Sequence, residues 1–187
     1  MLDIESNRKV SKYSVREKVL RVLWGFASIV FKLTPRPFFG LRRSILRVFG
    51  AKIGTHVHIY SSVIVYFPWN LEVGDYSAIG EDCLIYNLGM VTIGNRATIS
   101  HRAHLCAGTH DYTDPALALQ KLPIRIGNQA WICTDAFIGP GVTIGEGAIV
   151  GARAVAMSSI ADWAIVAGNP ARWIKNRILM ERKNDNN

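Results

Sequence analysis

The sequence predicts an all-β chain. It reads as a left-handed parallel β-helix of about five coils, with a helical extension at residues 1–50 and a tail with a short helix at residues 162–187. Three observations lead there. Aliphatic residues recur every six positions: Ile53, Ile59 and Val65, then Val73, Ile79 and Ile85, then Ile93, Ile99 and Leu105, and after a gap Ile126 through Ile132, Ile138, Ile144 and Val150 to Ala156. Gly often follows them, as at Gly54, Gly74, Gly94, Gly127 and Gly145. The residue four positions on is small or β-branched, as at Val57, Ser77, Cys83, Ala97, Ala130 and Ala148. Neither a helical period of 3.6 nor a strand period of 2 repeats at six. A short strand plus a corner does, and three such units close a triangular coil.

The aliphatic and small residues point into the narrow interior, and the following Gly is expected to relieve the corner. Coils begin at residues 53, 73, 93, 126 and 144. Stacked at the backbone pairing distance, five make a prism about 24 Å tall. Each coil buries its apolar residues only against its neighbours, so the stack is stable as a stack and not as single units.

The period breaks in one place. The step lengthens to eight between Val65 and Val73, to eight between Ile85 and Ile93, and to 21 between Leu105 and Ile126. All three insertions follow the third unit of a coil, so they leave the prism along one edge. The longest, residues 106–125 within the β-helix at residues 51–161, is not required by the fold, and long loops in compact domains carry function.

The chain has 187 residues and a formal net charge of +8. Residues 1–52 hold 12 Lys and Arg against three acids, and the remainder holds 10 against 11, so the whole surplus lies in the N-terminal quarter. That quarter lacks the repeat. Val19 to Phe31 is largely apolar and too short to span a bilayer. Pro35 and Pro37 interrupt it, and Phe38 to Phe49 alternates apolar and basic residues at helical spacing, which predicts two helices hinged at the prolines. Two compatible roles follow: capping the open edge of the first coil, or lying on an anionic membrane surface. No aromatic stacking platform accompanies the charge, so nucleic acid is not an expected partner. Cys83, Cys106 and Cys133 show neither metal-ligand nor disulfide spacing, which fits reduced cytosolic thiols. Residues 1–18 are polar and charged, unlike a cleavable signal peptide. A cytoplasmic protein is expected, with peripheral contact at the inner membrane face as the further possibility.

The exceptional loop opens Cys106-Ala-Gly-Thr-His110-Asp-Tyr-Thr-Asp-Pro115. An imidazole titrating near neutrality accepts a proton from a hydroxyl and returns it. Asp111, Asp114 or a backbone carbonyl is the expected partner of the ring, and Tyr86 and Tyr112 are candidates to line an acceptor site. Three imidazoles meeting between subunits would instead hold zinc, as in the hexapeptide carbonic anhydrases. Their histidine pair five residues apart has no counterpart among His56, His58, His101, His104 and His110, so no metal is expected.

The repeats, the His-bearing loop and the tail Val166-Ala-Gly-Asn-Pro-Ala-Arg172 together resemble the hexapeptide acyltransferases that use acetyl-coenzyme A. The maltose and galactoside O-acetyltransferase branch is the well-understood one. Within it, Leu46 to Gly54, Pro68-Trp69, Gly74-Asp-Tyr and Gly108 to Thr113 resemble the colanic-acid-type exopolysaccharide acetyltransferases. The resemblance implies a homotrimer with acetyl-CoA in the cleft between two prisms. It also implies direct acetyl transfer to a sugar hydroxyl, on an acceptor such as a lipid-linked exopolysaccharide repeat unit. On that reading His110 is the general base, Asn87 contacts the acceptor sugar, and Asp111 belongs to the catalytic group. Trp131, Gly139, Ala152, Arg172 and Lys175 face the cofactor, and a backbone N–H near Gly139 to Gly141 is the donor to the developing oxyanion or to the pantetheine amide. Relatives often carry Thr-Lys where this chain has Met157-Ser158, so Arg153 or Lys175 would replace that lysine. Transfer to an amino sugar or to serine is the alternative within the same chemistry.

Overall fold

The computed structural model describes residues 2–180. Each coil contributes one short strand to each of three parallel sheets. The first sheet runs through Lys52–Ile53, Leu71–Val73, Val91–Ile93, Ile124–Ile126 and Thr143–Ile144. The second starts at His58–Ile59 and the third at Ile64–Val65, and each follows the same succession of coils. Register keeps the aliphatic rows in line: Ile53, Val73, Ile93, Ile126 and Ile144 stack as direct partners. These residues and the small positions Val57, Cys83, Ala97, Ala130 and Ala148 are buried in one continuous core. Burial pushes the Cys83 thiol up to about 12, and its S–H donates to the Ser100 carbonyl at 2.9 Å, so this cysteine serves packing. A partial sixth coil closes the stack, with Ile160 bridging Ile144 and Ala164–Ala167 joining the second sheet.

The glycines of the repeat are needed for a reason other than the expected one. A Cβ on Gly74 would come within 2.7 Å of the Asn95 backbone nitrogen in the next coil. The requirement is therefore close approach between coils, not corner bending. Left-handed backbone falls two residues later, at His56, Tyr76, Arg96 and Gln129, with φ between 53° and 59°. Between the first and second sheets, side chains tie each coil to the next. Thr55 N–H donates to Asp75, Asp75 N–H to Asn95, and Asn95 N–H to Asn128, at 2.6, 2.7 and 2.9 Å.

Three helices precede the prism: α1 (Ile4–Lys9), α2 (Val15–Leu33) and α3 (Phe39–Val48). A capping box between Ser14 and Glu17 starts α2, and the residues before Pro35 end it. Helices α2 and α3 satisfy the edge carbonyls that the first coil would otherwise leave open. Arg47 donates to Ile53 O, Arg43 to Val57 O, Arg42 to Ile59 O and the Trp24 indole to Val65 O, at 2.6 to 3.0 Å. The Arg42 side chain is fully buried, and it also reaches Thr34 Oγ1, Pro35 O and Arg36 O. Part of the basic surplus is thus a structural cap.

The tail departs from expectation. In place of a short helix, Arg172–Asn176 folds back antiparallel on Ala164–Ala167, through a turn containing Gly168 at φ +93°. The last parallel strand exposes a free hydrogen-bonding edge, and pairing with it satisfies more backbone groups than an isolated helical turn would. Residues 181–187 of the expected helical tail lie outside the described residues.

Candidate active site

All three insertions emerge at the edge between the third and first sheets. The first forms a 3-10 turn at Pro68–Asn70, the second carries Asn87 to Gly89, and the third is a hairpin. Its strands Thr109–His110 and Leu119–Gln120 pair antiparallel, with His110 opposite Leu119. The hairpin is held close to the prism: a Cβ on buried Gly108 would overlap Leu88 Cδ1 at 2.6 Å, and a Cβ on Gly89 would meet the Leu122 carbonyl oxygen at 2.7 Å.

The tip of the hairpin is built by its two carboxylates. Asp111 accepts from Thr113 N–H and Thr113 O–H at 2.9 and 2.6 Å, and those bonds hold its carboxyl below the usual carboxylate range. Asp114 accepts from Ala116 N–H at 2.9 Å and Ala118 N–H at 3.3 Å. Leu117 is thereby set at φ +48°, and its carbonyl lies 2.6 Å from His110 Nδ1. A carbonyl only accepts, so Nδ1 carries the proton and Nε2 keeps its lone pair. His110 itself is exposed. The ring is oriented by a backbone carbonyl, and Asp111 acts on the loop backbone instead of on the imidazole.

A contact with no sequence signal completes the arrangement. Helix α1 lies across the loop, where Asp3 N–H donates to Pro115 O at 2.8 Å. Asn7 Nδ2 donates to Ala116 O and, at 2.8 Å, to Leu117 O. Lys12 Nζ donates in turn to Asn7 Oδ1 at 2.6 Å. Asn7 stands 110 residues from Leu117 in the chain and belongs to no repeat.

Asn87 does not face a substrate. It is fully buried, accepting from Phe67 N–H at 3.0 Å and donating to Phe67 O at 2.6 Å and Asn70 O at 3.2 Å. Its amide is consumed in holding the Pro68–Asn70 turn, which corrects its expected contact with the acceptor. Tyr86 stacks edge-on against Tyr66 and is half-buried, whereas Tyr112 is exposed within the loop.

The expected cofactor residues divide into two groups. Gly139 shares the edge of the His110 loop, but its N–H is spent on Ala156 O at 2.8 Å and a Cβ there would strike Met157. Pro140 has no N–H. Gly141, at φ +78°, keeps the one N–H of that stretch without a protein acceptor among the described residues. Trp131 lies half-exposed on the second sheet, the face opposite that edge of the triangle, with its indole on Ser100 Oγ at 2.9 Å. Ala152 is exposed at the turn after the second sheet's Ile149–Val150, and Arg172 and Lys175 are exposed on the strand that ends that sheet. Arg153 is paired with Asp135 at 3.7 Å. One protomer does not bring Trp131, Ala152, Arg172 and Lys175 to His110. No three His, Cys, Asp or Glu side chains converge among the described residues.

Comparison with known proteins shows the family and the fold. The family described as "Bacterial transferase hexapeptide (six repeats)" matches residues 123–155. The putative colanic acid biosynthesis acetyltransferase WcaF of Escherichia coli (strain K12) is 40% identical over 162 residues, covering 87% of this chain and 89% of its own. The chain belongs to the hexapeptide-repeat acyltransferase family. Its fold is shared by two solved structures of family members. A maltose O-acetyltransferase from Clostridium difficile 630 superposes with a TM-score of 0.79 at 23% identity, covering 96% of this chain and 99% of the other. A hexapeptide-repeat containing acetyltransferase from Vibrio cholerae, complexed with acetyl coenzyme A, does so with a TM-score of 0.76 at 22% identity, over 89% and 91%. The family is one of enzymes, and this member is an acyltransferase.

Proposed function

We propose that the protein is an acetyl-CoA-dependent O-acetyltransferase that modifies a sugar hydroxyl during exopolysaccharide assembly, with His110 as general base. The observation that carries the reading is the 2.6 Å contact between His110 Nδ1 and Leu117 O, which leaves Nε2 as an acceptor on an exposed ring. Nε2 takes the proton of the sugar hydroxyl as that oxygen attacks the thioester carbonyl. The tetrahedral adduct collapses, the C–S bond breaks, and the thiolate of coenzyme A recovers the proton from the imidazolium. The Leu117 carbonyl steadies that transient cation through Nδ1–H. Gly141 N–H is the backbone donor of its stretch open to the oxyanion or to the pantetheine amide.

The division of the expected cofactor residues supports a homotrimer. If the loop edge of one prism meets the second sheet of the next, His110 and Gly141 of one copy face Trp131, Ala152, Arg172 and Lys175 of another. Cyclic symmetry then repeats that cleft three times. The complex of the Vibrio cholerae relative with acetyl coenzyme A and the colanic acid assignment of the Escherichia coli relative support the choice of donor and of acceptor class.

His110→Ala should lower acetyl transfer by about 10²–10⁴-fold while leaving coenzyme A binding and the unfolding midpoint in place. Assays against hydroxyl-bearing and amine-bearing sugars distinguish O- from N-transfer. Near-native turnover in His110→Ala overturns the reading.

A further inference from the structure

Helix α2 is apolar on two opposite faces, and only one of them touches the protein. Trp24 and Phe31 are buried against the first coil, and Ala27 packs beside them. On the far side, Val15, Val19, Val22, Phe26, Ile29 and Leu33 recur at alternating spacings of four and three, with Leu23 and Val30 alongside. All eight are more than half exposed, Phe26 at 70% and Leu33 at 77%. At 3.6 residues per turn these eight cover an arc of about 120°, centred opposite Trp24, and run about 27 Å from Val15 to Leu33. The capping role of α2 accounts for the inner face and gives no reason for the outer one.

Cations border this stripe. Lys18 and Lys32 lie along one side and Arg16 along the other, all exposed, whereas Arg21 turns inward over the Tyr13 and Phe67 rings at 4.4 and 5.6 Å. The single acid of the helix, Glu17, is on the inner half of the helix and is 3.8 Å from Lys121. No helix among the described residues is long and apolar enough to cross a membrane. A large apolar surface edged by Lys and Arg, on a helix that cannot span a bilayer, matches a helix lying in the plane of an anionic lipid surface.

We propose that the outer face of α2 docks the enzyme on an anionic membrane. A second copy of the chain is the competing occupant, and charge disfavours it: two such stripes would bring together two basic borders without an acid between them. An anionic leaflet supplies the missing counter-charge. In a cyclic assembly of prisms packed side by side along the symmetry axis, the α2 helices cap the same end, so several stripes would meet one surface and reinforce one another. The inference stands apart from the acetyltransferase reading, since no residue of the stripe has a part in that reading.

The full chain should float with vesicles of phosphatidylcholine and phosphatidylglycerol at low salt, much less with phosphatidylcholine alone, and less again as salt is raised. The triple variant Val22→Ser, Phe26→Ser, Ile29→Ser should lose at least about tenfold in vesicle partitioning. Its unfolding midpoint and its mass by light scattering should stay those of the parent. Lys18→Gln with Lys32→Gln should weaken binding to the anionic vesicles alone. The proposal is overturned if the parent ignores anionic vesicles at low salt, or binds neutral ones equally. It is also overturned if the triple variant floats as the parent does, or if its oligomeric mass changes, which would assign the stripe to an interface between copies.

Discussion

The side-chain amide of Asn7 and the imidazole of His110 meet on one atom, the carbonyl oxygen of Leu117, at 2.8 and 2.6 Å. The N-terminal helix thus holds the group that holds the histidine. Leu117 needs such support, because a branched residue at φ +48° stays in that conformation only when its surroundings impose it. Asn7→Ala removes one neutral hydrogen bond from the positioning carbonyl, a change of about 0.5–1.5 kcal/mol. The expected outcome is a drop in kcat of about 2–10-fold with KM for acetyl-CoA unchanged. Steady-state kinetics would check it, and an equal loss in both parameters would speak against a positioning role.

Asn87 should behave as a stability residue. Its amide satisfies three backbone groups of the 67–70 turn. Asn87→Ala strands buried donors and acceptors at about 1–3 kcal/mol apiece. Chemical denaturation should show a loss of at least about 2 kcal/mol, whereas the KM for the sugar acceptor should change only in proportion to the folded fraction.

Arg42 closes the open end of the prism with a buried fork. It reaches Ile59 O, Thr34 Oγ1, Pro35 O and Arg36 O, and burial pulls its pKa below the usual arginine value. Arg42→Met should destabilise by at least about 3 kcal/mol, because several buried acceptors lose their donor together. Arg42→Lys should recover little, since an ammonium cannot span the fork. Denaturant midpoints of the two variants check both statements.

His104 predicts a pH dependence. Its Nε2 is buried without a partner among the described residues, its ring stands edge-on to Phe137 at 5.0 Å, and burial lowers its pKa. The folded protein therefore favours neutral imidazole, while the unfolded chain takes up its proton near pH 6.5. Stability is full above about pH 6.5 and falls as pH drops toward the lower folded value. Thermal unfolding between pH 7.5 and 5.5 should show this slope, and His104→Gln should flatten it.

Much of the architecture was legible in the residue order. A six-residue period is a local property: each hexad reports its own corner and its inward side chain, and successive hexads agree. The rows from Ile53 to Ile144 therefore stack in the register their spacing implies. The shared edge of the three insertions followed from counting steps of eight, eight and 21. Close packing between coils hid the true reason for Gly74, since it meets Asn95 of another coil and not its own chain neighbours. The strand at Arg172–Asn176 escaped the sequence for a similar reason, because the edge that recruits it exists only after the coils have stacked.

The site was legible by halves. His110 stood out by its place in the one insertion long enough to form a hairpin, and a backbone carbonyl, though not Leu117 by name, was among the partners foreseen for its ring. Asn87 shows the limit of matching by motif. The residue type and position agree with a substrate contact, yet its amide is spent on backbone that its own insertion folds against. Nothing in a linear pattern links Asn7 to Leu117, because their contact arises from a chain path of 110 residues.

The sequence by itself determined the triangular solenoid, the position of its interruptions and the histidine proposed here as the base, because each depends on short-range periodicity and intrinsic side-chain chemistry. Only the tertiary structure decided which atom orients that residue, which basic side chains are consumed in capping the first coil, and which apolar face of α2 is left outward. Those outcomes depend on segments distant in sequence competing for the same unpaired carbonyls, and that competition is resolved only when the whole chain has folded.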